Sequence, residues 1–257
     1  MEIVLAPDIF LRLRDTPWDA RALGRPTRDV VELALACEAG HDRGLDDRLF
    51  DALDELLGSD GVGLVTARVP ADRRAAIGRL QEAGFRYVET AYRLGLRSLA
   101  RYEPPARVTR RVALREAVPA DRAALVAQAA DSFRYGRFAE DPWIAPEVNR
   151  RRQIDWMEGL LDGRARVLVA DVEGAPGAFM AFRTQGSEAD LILAGTRPKL
   201  ALLAYPLWIA VLEQLRAEGI ERAHTMISAA NLGVVNLYGT LGFRFEQALV
   251  GLHLHRP

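Results

Sequence analysis

The sequence predicts an α/β (α+β) protein built from two related halves, and three observations predict it. A strand–helix–strand pattern closed by a Gly-Phe turn occurs twice, at Gly61 to Leu94 and again from Ala223 through Phe243. A proline pair, Pro104-Pro105, lies between them in a stretch hostile to both helix and central strand. Beyond that pair, apolar spacing alternates between periods of two and 3.6 in the order β-α-α-β-β-β-α-β-α-β.

Each element follows from its residues. Gly61-Val-Gly-Leu-Val-Thr-Ala-Arg-Val69 is rich in β-branched residues and reads as a strand. Pro70 to Ala83 reads as a helix with Ala76, Ile77, Leu80 and Ala83 on one stripe, and Phe85 to Leu94 as the next strand. Arg101-Tyr-Glu-Pro-Pro-Ala-Arg-Val108 is the linker, so the expected units are residues 1–100 and 108–257. In the second unit Val108–Glu116 reads as a strand. Asp121 to Ser132 reads as a helix, started by Pro119 and Asp121 and striped by Leu125, Ala129 and Phe133. Phe133 to Trp143 is an irregular loop rich in aromatics and arginine, and Glu147 to Leu161 a helix. Arg166–Val172 and Gly177–Thr184 form a hairpin about Glu173-Gly174. Glu188 to Ala194 is a strand, Ala204 to Glu218 a helix stopped by Gly219, and Ala223 to Ala230 a strand. Asn231 then caps a short helix through a first-turn N–H, and Gly242 ends it. Leu80-Gln-Glu-Ala-Gly-Phe-Arg-Tyr87 aligns with Tyr238-Gly-Thr-Leu-Gly-Phe-Arg-Phe245, which indicates a degenerate internal duplication with Leu80 at the position of Tyr238.

Composition narrows the function classes. An apolar content of 49%, a charged content of 27% and a net charge of −1 are those of an ordinary globular protein with no global attraction to nucleic acid or anionic membranes. Lys199 is the only lysine, and the single Cys37 cannot form an internal disulfide. Among His41, His224, His253 and His255, only the last two share a strand face, and they lack the further ligands that zinc needs, so no metal is expected. Met1-Glu-Ile-Val-Leu-Ala-Pro7 lacks the features of a signal peptide. Leu200 to Leu212, the longest apolar stretch, is interrupted by Pro206 and reads as a buried helix rather than a membrane span. A cytoplasmic location is expected.

The stretch Asn231-Leu-Gly-Val-Val-Asn-Leu-Tyr238-Gly-Thr-Leu-Gly-Phe243 resembles the closing motif of the GNAT acyltransferase superfamily, and the element order of the second half is also that of the family. The resemblance implies a mixed, mostly antiparallel sheet, preceded here by a smaller GNAT-like half, with acetyl-CoA as co-substrate. It also implies that Tyr238 protonates the departing thiolate. Family spacing places the diphosphate-binding loop at Lys199-Leu-Ala-Leu202-Leu203-Ala204. There Lys199 serves as cation and Ala204 keeps a small residue at the last position, while Leu202 departs from the family's first glycine. The pantetheine arm would pair with the strand ending at Leu193, Ala194 and Gly195, and Asn231 completes the implied donor site. Three readings of the donor side stay open: a loop that still binds phosphate through its N–H groups, a donor held by its pantetheine arm, or a dead site.

Acyl transfer from a thioester to an amine needs a neutral amine, a polarised carbonyl, alignment and a leaving thiolate. Glu89, in Val88-Glu89-Thr90, is the expected general base from a cleft between the halves, with Glu140 and Asp141 as rivals. A strand-end Gly195 permits close backbone approach to a donor. His224 reads as a hydrogen-bonded strand residue.

Asp15-Thr-Pro-Trp18, Ala67-Arg-Val-Pro-Ala-Asp72, Arg137-Phe-Ala-Glu-Asp-Pro142 and Trp156 together resemble the dTDP-fucosamine acetyltransferase type within that family. This implies a nucleotide-linked amino sugar as acceptor. Arg134 and Arg137 would then hold phosphate, Phe138, Tyr135 and Trp143 would stack on a ring, and Asp141 would line the pocket. The expected partners are a small-molecule amine and at most a second copy of the chain, as monomer or homodimer, with no nucleic acid and no membrane. Two alternatives remain: a non-catalytic binding protein of the same fold, and an enzyme that takes its acyl group from acyl carrier protein.

Overall fold

A computed structural model describes residues 1–40, 42–108, 111–132 and 134–256. The expected stripe member Phe133, the histidine His41, and part of the strand expected over Val108–Glu116 lie outside the described residues.

The first half comprises strands β1 (Glu2–Ala6), β2 (Ile9–Asp15), β3 (Thr27–Ala34), β4 (Leu64–Pro70) and β5 (Arg86–Leu96), and helices α1 (Pro17–Leu23), α2 (Ala36–Ala39), α3 (Gly44–Ser59) and α4 (Arg74–Glu82). The second comprises β6 (Arg115–Glu116), β7 (Arg166–Val172), β8 (Ala175–Gln185), β9 (Glu188–Thr196), β10 (Arg222–Ser228) and β11 (Arg244–His255), with α5 (Arg122–Ser132), α6 (Pro146–Gly159), α7 (Ala204–Ala217) and α8 (Leu232–Thr240). The strands form one sheet in the order β1-β2-β3-β4-β11-β5-β10-β9-β8-β7-β6, in which only β3–β4 and β9–β10 pair in parallel.

The two halves are not separable bodies. Each gives its last strand to the other: β11 enters between β4 and β5, and β5 lies between β11 and β10. The duplicated sequence explains the symmetry of this exchange. Gly84 and Gly242 both take a left-handed turn, with φ of +90° and +83°. The amide of Phe85 reaches the carbonyl of Leu80 at 2.9 Å, and that of Phe243 reaches Tyr238 at 3.1 Å. The same helix stop therefore launches both strands. The Glu173-Gly174 turn expected for the hairpin is present, with positive φ at both residues, as a two-residue turn matching strand twist requires.

One face of the sheet carries α3 and α4 over the first half and α7 and α8 over the second. Leu49, Leu53 and Leu57 of α3 pack on Leu11, Val65 and Ala67, while Leu207, Val211 and Leu215 of α7 pack with Leu168, Met180 and Phe182. The opposite face carries α5 and α6, whose Leu125, Ala129 and Met157 meet Val167, Val169 and Phe179. Beside them α1 and the 134–145 loop close over β4, where Leu64, Phe138 and Ile144 form a small separate core. Pro206 does not interrupt the apolar stretch as expected. It falls in the first turn of α7, where its missing N–H costs nothing. Pro198–Ala217, the one helical stretch among the described residues long and apolar enough to cross a bilayer, packs its α7 residues Leu207, Trp208, Ile209, Val211, Leu212 and Leu215 into the core.

Candidate active site

The feature that organises the site is a fork between β9 and β10. They pair in parallel over four rows, from Arg222↔Glu188 to Thr225↔Leu191, and pair no further. The Thr225 hydroxyl donates to the Leu191 carbonyl at 3.0 Å at the last row. A bulge follows at once: Phe182 faces Leu191 and Ala181 faces Leu193, so Ile192 is the extra residue. Beyond it Leu193 to Thr196 stay paired with β8, while Met226 to Ser228 stay paired with β5. The β10-facing edge of β9 is left without a strand partner. Leu193 is buried against α5 and α6 and Ala194 packs on the opposite core. Gly195 is required by packing, because a Cβ there would stand 2.9 Å from the Phe179 ring.

The loop expected to bind diphosphate is a 3-10 turn, Pro198–Leu203, that runs into α7. Leu202 is 85% exposed and so fills no pocket, Lys199 is exposed, and Leu203 is core. The loop closes partly on itself: the amide of Leu200 donates to Arg197 at 2.7 Å, and that of Ala204 to Ala201. The Leu200 and Ala204 N–H groups are therefore not free for an anion. Asn231 caps α8, its Oδ1 accepting from the Val234 amide at 3.3 Å.

The last turn of α8 could present the Tyr238 phenol to a cleft, as a proton donor to a thiolate needs, but the structure encloses the ring instead. It is 3% exposed, set edge-on to Trp208 and to Phe243, with ring centroids 6.1 and 4.8 Å away. The reason is local: Leu237 and Tyr238 are the two residues that α8 buries, so the ring is spent on the core. Its hydroxyl nevertheless ends 3.5 Å from Thr225 Oγ1, at the apex of the fork. Burial raises the phenol above its ordinary value, which makes proton donation to a thiolate harder.

On the opposite face, Ser228 at the end of β10 donates to Glu140 Oε1 at 2.5 Å, and the Gly136 amide donates to the same oxygen at 2.7 Å. Glu140 is thus the carboxylate held beside the fork. Glu89, the expected base, is 1% exposed and is occupied: Arg68 Nη2 and Nε reach its Oε1 at 2.6 and 2.9 Å. The two side chains meet across β11 because the residue between them is Gly251.

Three of the four expected substrate residues are structural instead. Arg137 donates to Asp19 and to Thr66, tying α6's preceding loop to the first half, and Arg152 joins it on Asp19 at 2.5 Å. Burial lowers the Arg137 guanidinium to about 10, against the pull of Asp19, so it stays charged at neutral pH. Phe138 is 2% exposed and belongs to the small core. Asp141, equally buried, accepts from His253 Nδ1 at 2.5 Å and His255 Nε2 at 2.7 Å through one oxygen, and from the Trp143 amide at 2.9 Å through the other. Although burial pushes its carboxyl up, those bonds hold it well below the usual carboxylate range. Arg134, Tyr135 and Trp143 remain exposed.

The first half repeats the fork without its chemistry. β3 and β4 pair in parallel over four rows, Thr27↔Leu64 to Val30↔Ala67, and Val31 is the bulged residue that follows. Leu80 replaces the phenol and Ala67 stands at the last row where β10 has Thr225. The buried Asp46, in the first turn of α3, accepts from the Ala36 and Cys37 amides at 2.7 and 3.2 Å, so a carboxylate of the chain itself occupies the N-terminus of α2.

No family model matches the chain. It is 24% identical over 249 residues to the spore coat polysaccharide biosynthesis protein SpsD of Bacillus subtilis (strain 168), covering 95% of this chain and 83% of that one. A tandem GNAT protein from the clavulanic acid biosynthesis pathway matches with a TM-score of 0.60 at 19% identity, over 91% of this chain and 77% of that one. A GCN5-related N-acetyltransferase from Sphaerobacter thermophilus matches with a TM-score of 0.64 at 15% identity, over 96% and 77%. Fork, bulge, capped α8 and matching architecture together show that this chain has a GNAT-like fold with a mixed sheet.

Proposed function

We propose that this protein is an N-acetyltransferase that moves an acetyl group from acetyl-CoA to the amine of a small molecule. The observation that carries this is the fork, a parallel pair opened after four rows with one edge of β9 left free. An extended pantetheine arm adds to such an edge by backbone hydrogen bonds, as an added strand does. The donor thioester then lies near Thr225 and Tyr238, and the amine approaches from the side of Glu140 and Ser228. Glu140 takes the proton from the amine as its nitrogen attacks the carbonyl carbon, the C–S bond breaks, and the sulfur is protonated from the Tyr238 side. A nucleotide-linked amino sugar is the proposed acceptor class. The relative named for polysaccharide biosynthesis supports it, as do Arg134, Tyr135 and Trp143, exposed on the loop that carries Glu140.

Calorimetric titration with acetyl-CoA tests the donor half of the proposal. Binding at a hundredfold excess over Kd stabilises the fold by about 2.7 kcal/mol. A panel of nucleotide amino sugars, polyamines and amino acids, read by thiol release, tests the acceptor half. The enclosed Tyr238 and the self-bonded 198–204 turn favour a second reading, a binding protein without catalysis. Absence of any thermal shift with every acyl-CoA tried selects that reading.

A further inference from the structure

From the meeting of Asp141 with His253 and His255 we infer a binding site for a divalent transition-metal ion, of the zinc class, between the 134–145 loop and β11. The donor atoms of the three residues lie within 4.8 Å of one another. They come from two places far apart in the chain, and two imidazoles approach one carboxylate oxygen from the same strand face. His253 is 1% and Asp141 2% exposed, so the set is built into the fold rather than scattered on a surface. The His255 side chain, 27% exposed, leaves a way in for an ion and a place for water as fourth ligand.

The chemistry selects the ion. Two imidazole nitrogens and one carboxylate oxygen suit zinc, cobalt or nickel, and are a poor match for calcium or magnesium, which take oxygen ligands. With both rings neutral the set carries one negative charge, which favours a dication. Metal–ligand bonds of about 2.0–2.2 Å in a tetrahedron need donors about 3.4 Å apart. The contacts of 2.5 and 2.7 Å therefore widen by under ~1 Å when an ion enters between them, each neutral ring carrying its single N–H on the nitrogen turned away from the ion. That shift is available by pivoting the carboxylate about Oδ1, which the Trp143 amide holds. Binding would pin the loop whose neighbouring residue, Glu140, bonds Ser228 beside the fork.

The competing description is a purely hydrogen-bonded cluster, and the test separates the two. Protein stripped with a chelator is titrated with Co²⁺, followed by its visible absorption, and then with Zn²⁺ by calorimetry and thermal melting. The expected result is one ion per chain, a tetrahedral cobalt spectrum displaced by zinc, and a higher melting midpoint with zinc. His255→Gln, at the most exposed ligand, keeps the fold and weakens Zn²⁺ binding at least tenfold. Asp141→Asn does the same if it folds. Two outcomes overturn the inference. One is the absence of any cobalt band and any melting shift in the wild type. The other is uptake that His255→Gln leaves unchanged, which would place the ion elsewhere, for instance beside His224 with Glu188 and Glu246.

Discussion

Gly251→Ala will destabilise the protein through a contact that involves no other change in the core. Arg68, Gly251 and Glu89 occupy one row across β4, β11 and β5. The outer two strands are about 9–10 Å apart, twice the spacing of neighbours, and the Arg68–Glu89 pair spans that gap over the bare glycine. A Cβ on residue 251 would lie 2.6 Å from Glu89 Cγ, 3.3 Å from its Oε1 and 3.4 Å from its carbonyl oxygen. Non-bonded carbons sit at about 3.5–4.0 Å, so the Glu89 side chain must give way by about 1 Å. Its carboxylate is 1% exposed, and breaking a buried ion pair costs about 3–5 kcal/mol. Arg68 is a third exposed and can turn to water, which reduces the loss. Alanine also returns about 0.4–1 kcal/mol by restricting the unfolded chain. The expected net loss is about 1–3 kcal/mol, or a melting midpoint about 3–10 °C lower at this chain length. Thermal and urea unfolding measure it. Gly78→Ala, where an added methyl meets nothing within 4 Å, is the control and should be neutral or stabilising by up to ~1 kcal/mol. The decisive measurement is the cycle with Glu89→Ala. The double variant should be at least ~1 kcal/mol more stable than additivity gives. A wild-type midpoint for Gly251→Ala, or strict additivity, would refute the reasoning.

Further outcomes follow from the same geometry. Burial lowers the His253 imidazole below its ordinary 6.5, against Asp141, with Arg137 and His255 adding to the lowering. The unfolded state therefore binds the proton first. The stability this neutral ring contributes is complete above about pH 6.5 and falls as pH drops below it. In chelator, the slope of unfolding free energy between about pH 6.5 and 5 should be steeper for the wild type than for His253→Gln. Equal slopes would exclude His253 as the source. Arg137→Met leaves the buried Asp19 with Arg152 as its only ion-pair partner among those described, and should cost about 2–4 kcal/mol in urea unfolding. Tyr238→Phe removes the long 3.5 Å contact to Thr225 and keeps the ring in the core, so the fold should persist while turnover falls at least tenfold; unchanged turnover removes Tyr238 as the acid. Glu140→Gln should depress turnover and flatten the acid limb of its pH profile, with little change in melting.

Local signals carried the second half of the fold well. The Gly242 stop, the Asn231 cap, the Glu173-Gly174 hairpin and the helix that Gly219 ends depend on neighbours in sequence, and each is found where the residues place it. The repeat of Leu80–Tyr87 in Tyr238–Phe245 was legible for the same reason. The strands and helices of residues 1–60 are not legible in the same way, because their short, mixed segments become elements only in the sheet. What the chain alone could not decide is which side chains meet. Nothing in Arg68 or Glu89 indicates that a glycine far downstream will let them pair. Nothing in His253 and His255 supplies the carboxylate that Asp141 brings from more than a hundred residues away. Arg137 and Phe138 were expected at a ligand because their types suit one, yet the fold spends them on joining the halves. Tyr238 is placed on its helix by sequence, but whether its oxygen faces water or a threonine depends on how α8 is rotated against the sheet. Secondary structure is a matter of backbone and near neighbours, which a sequence displays. A site is a matter of register and strand exchange between distant segments, which only the packed chain settles.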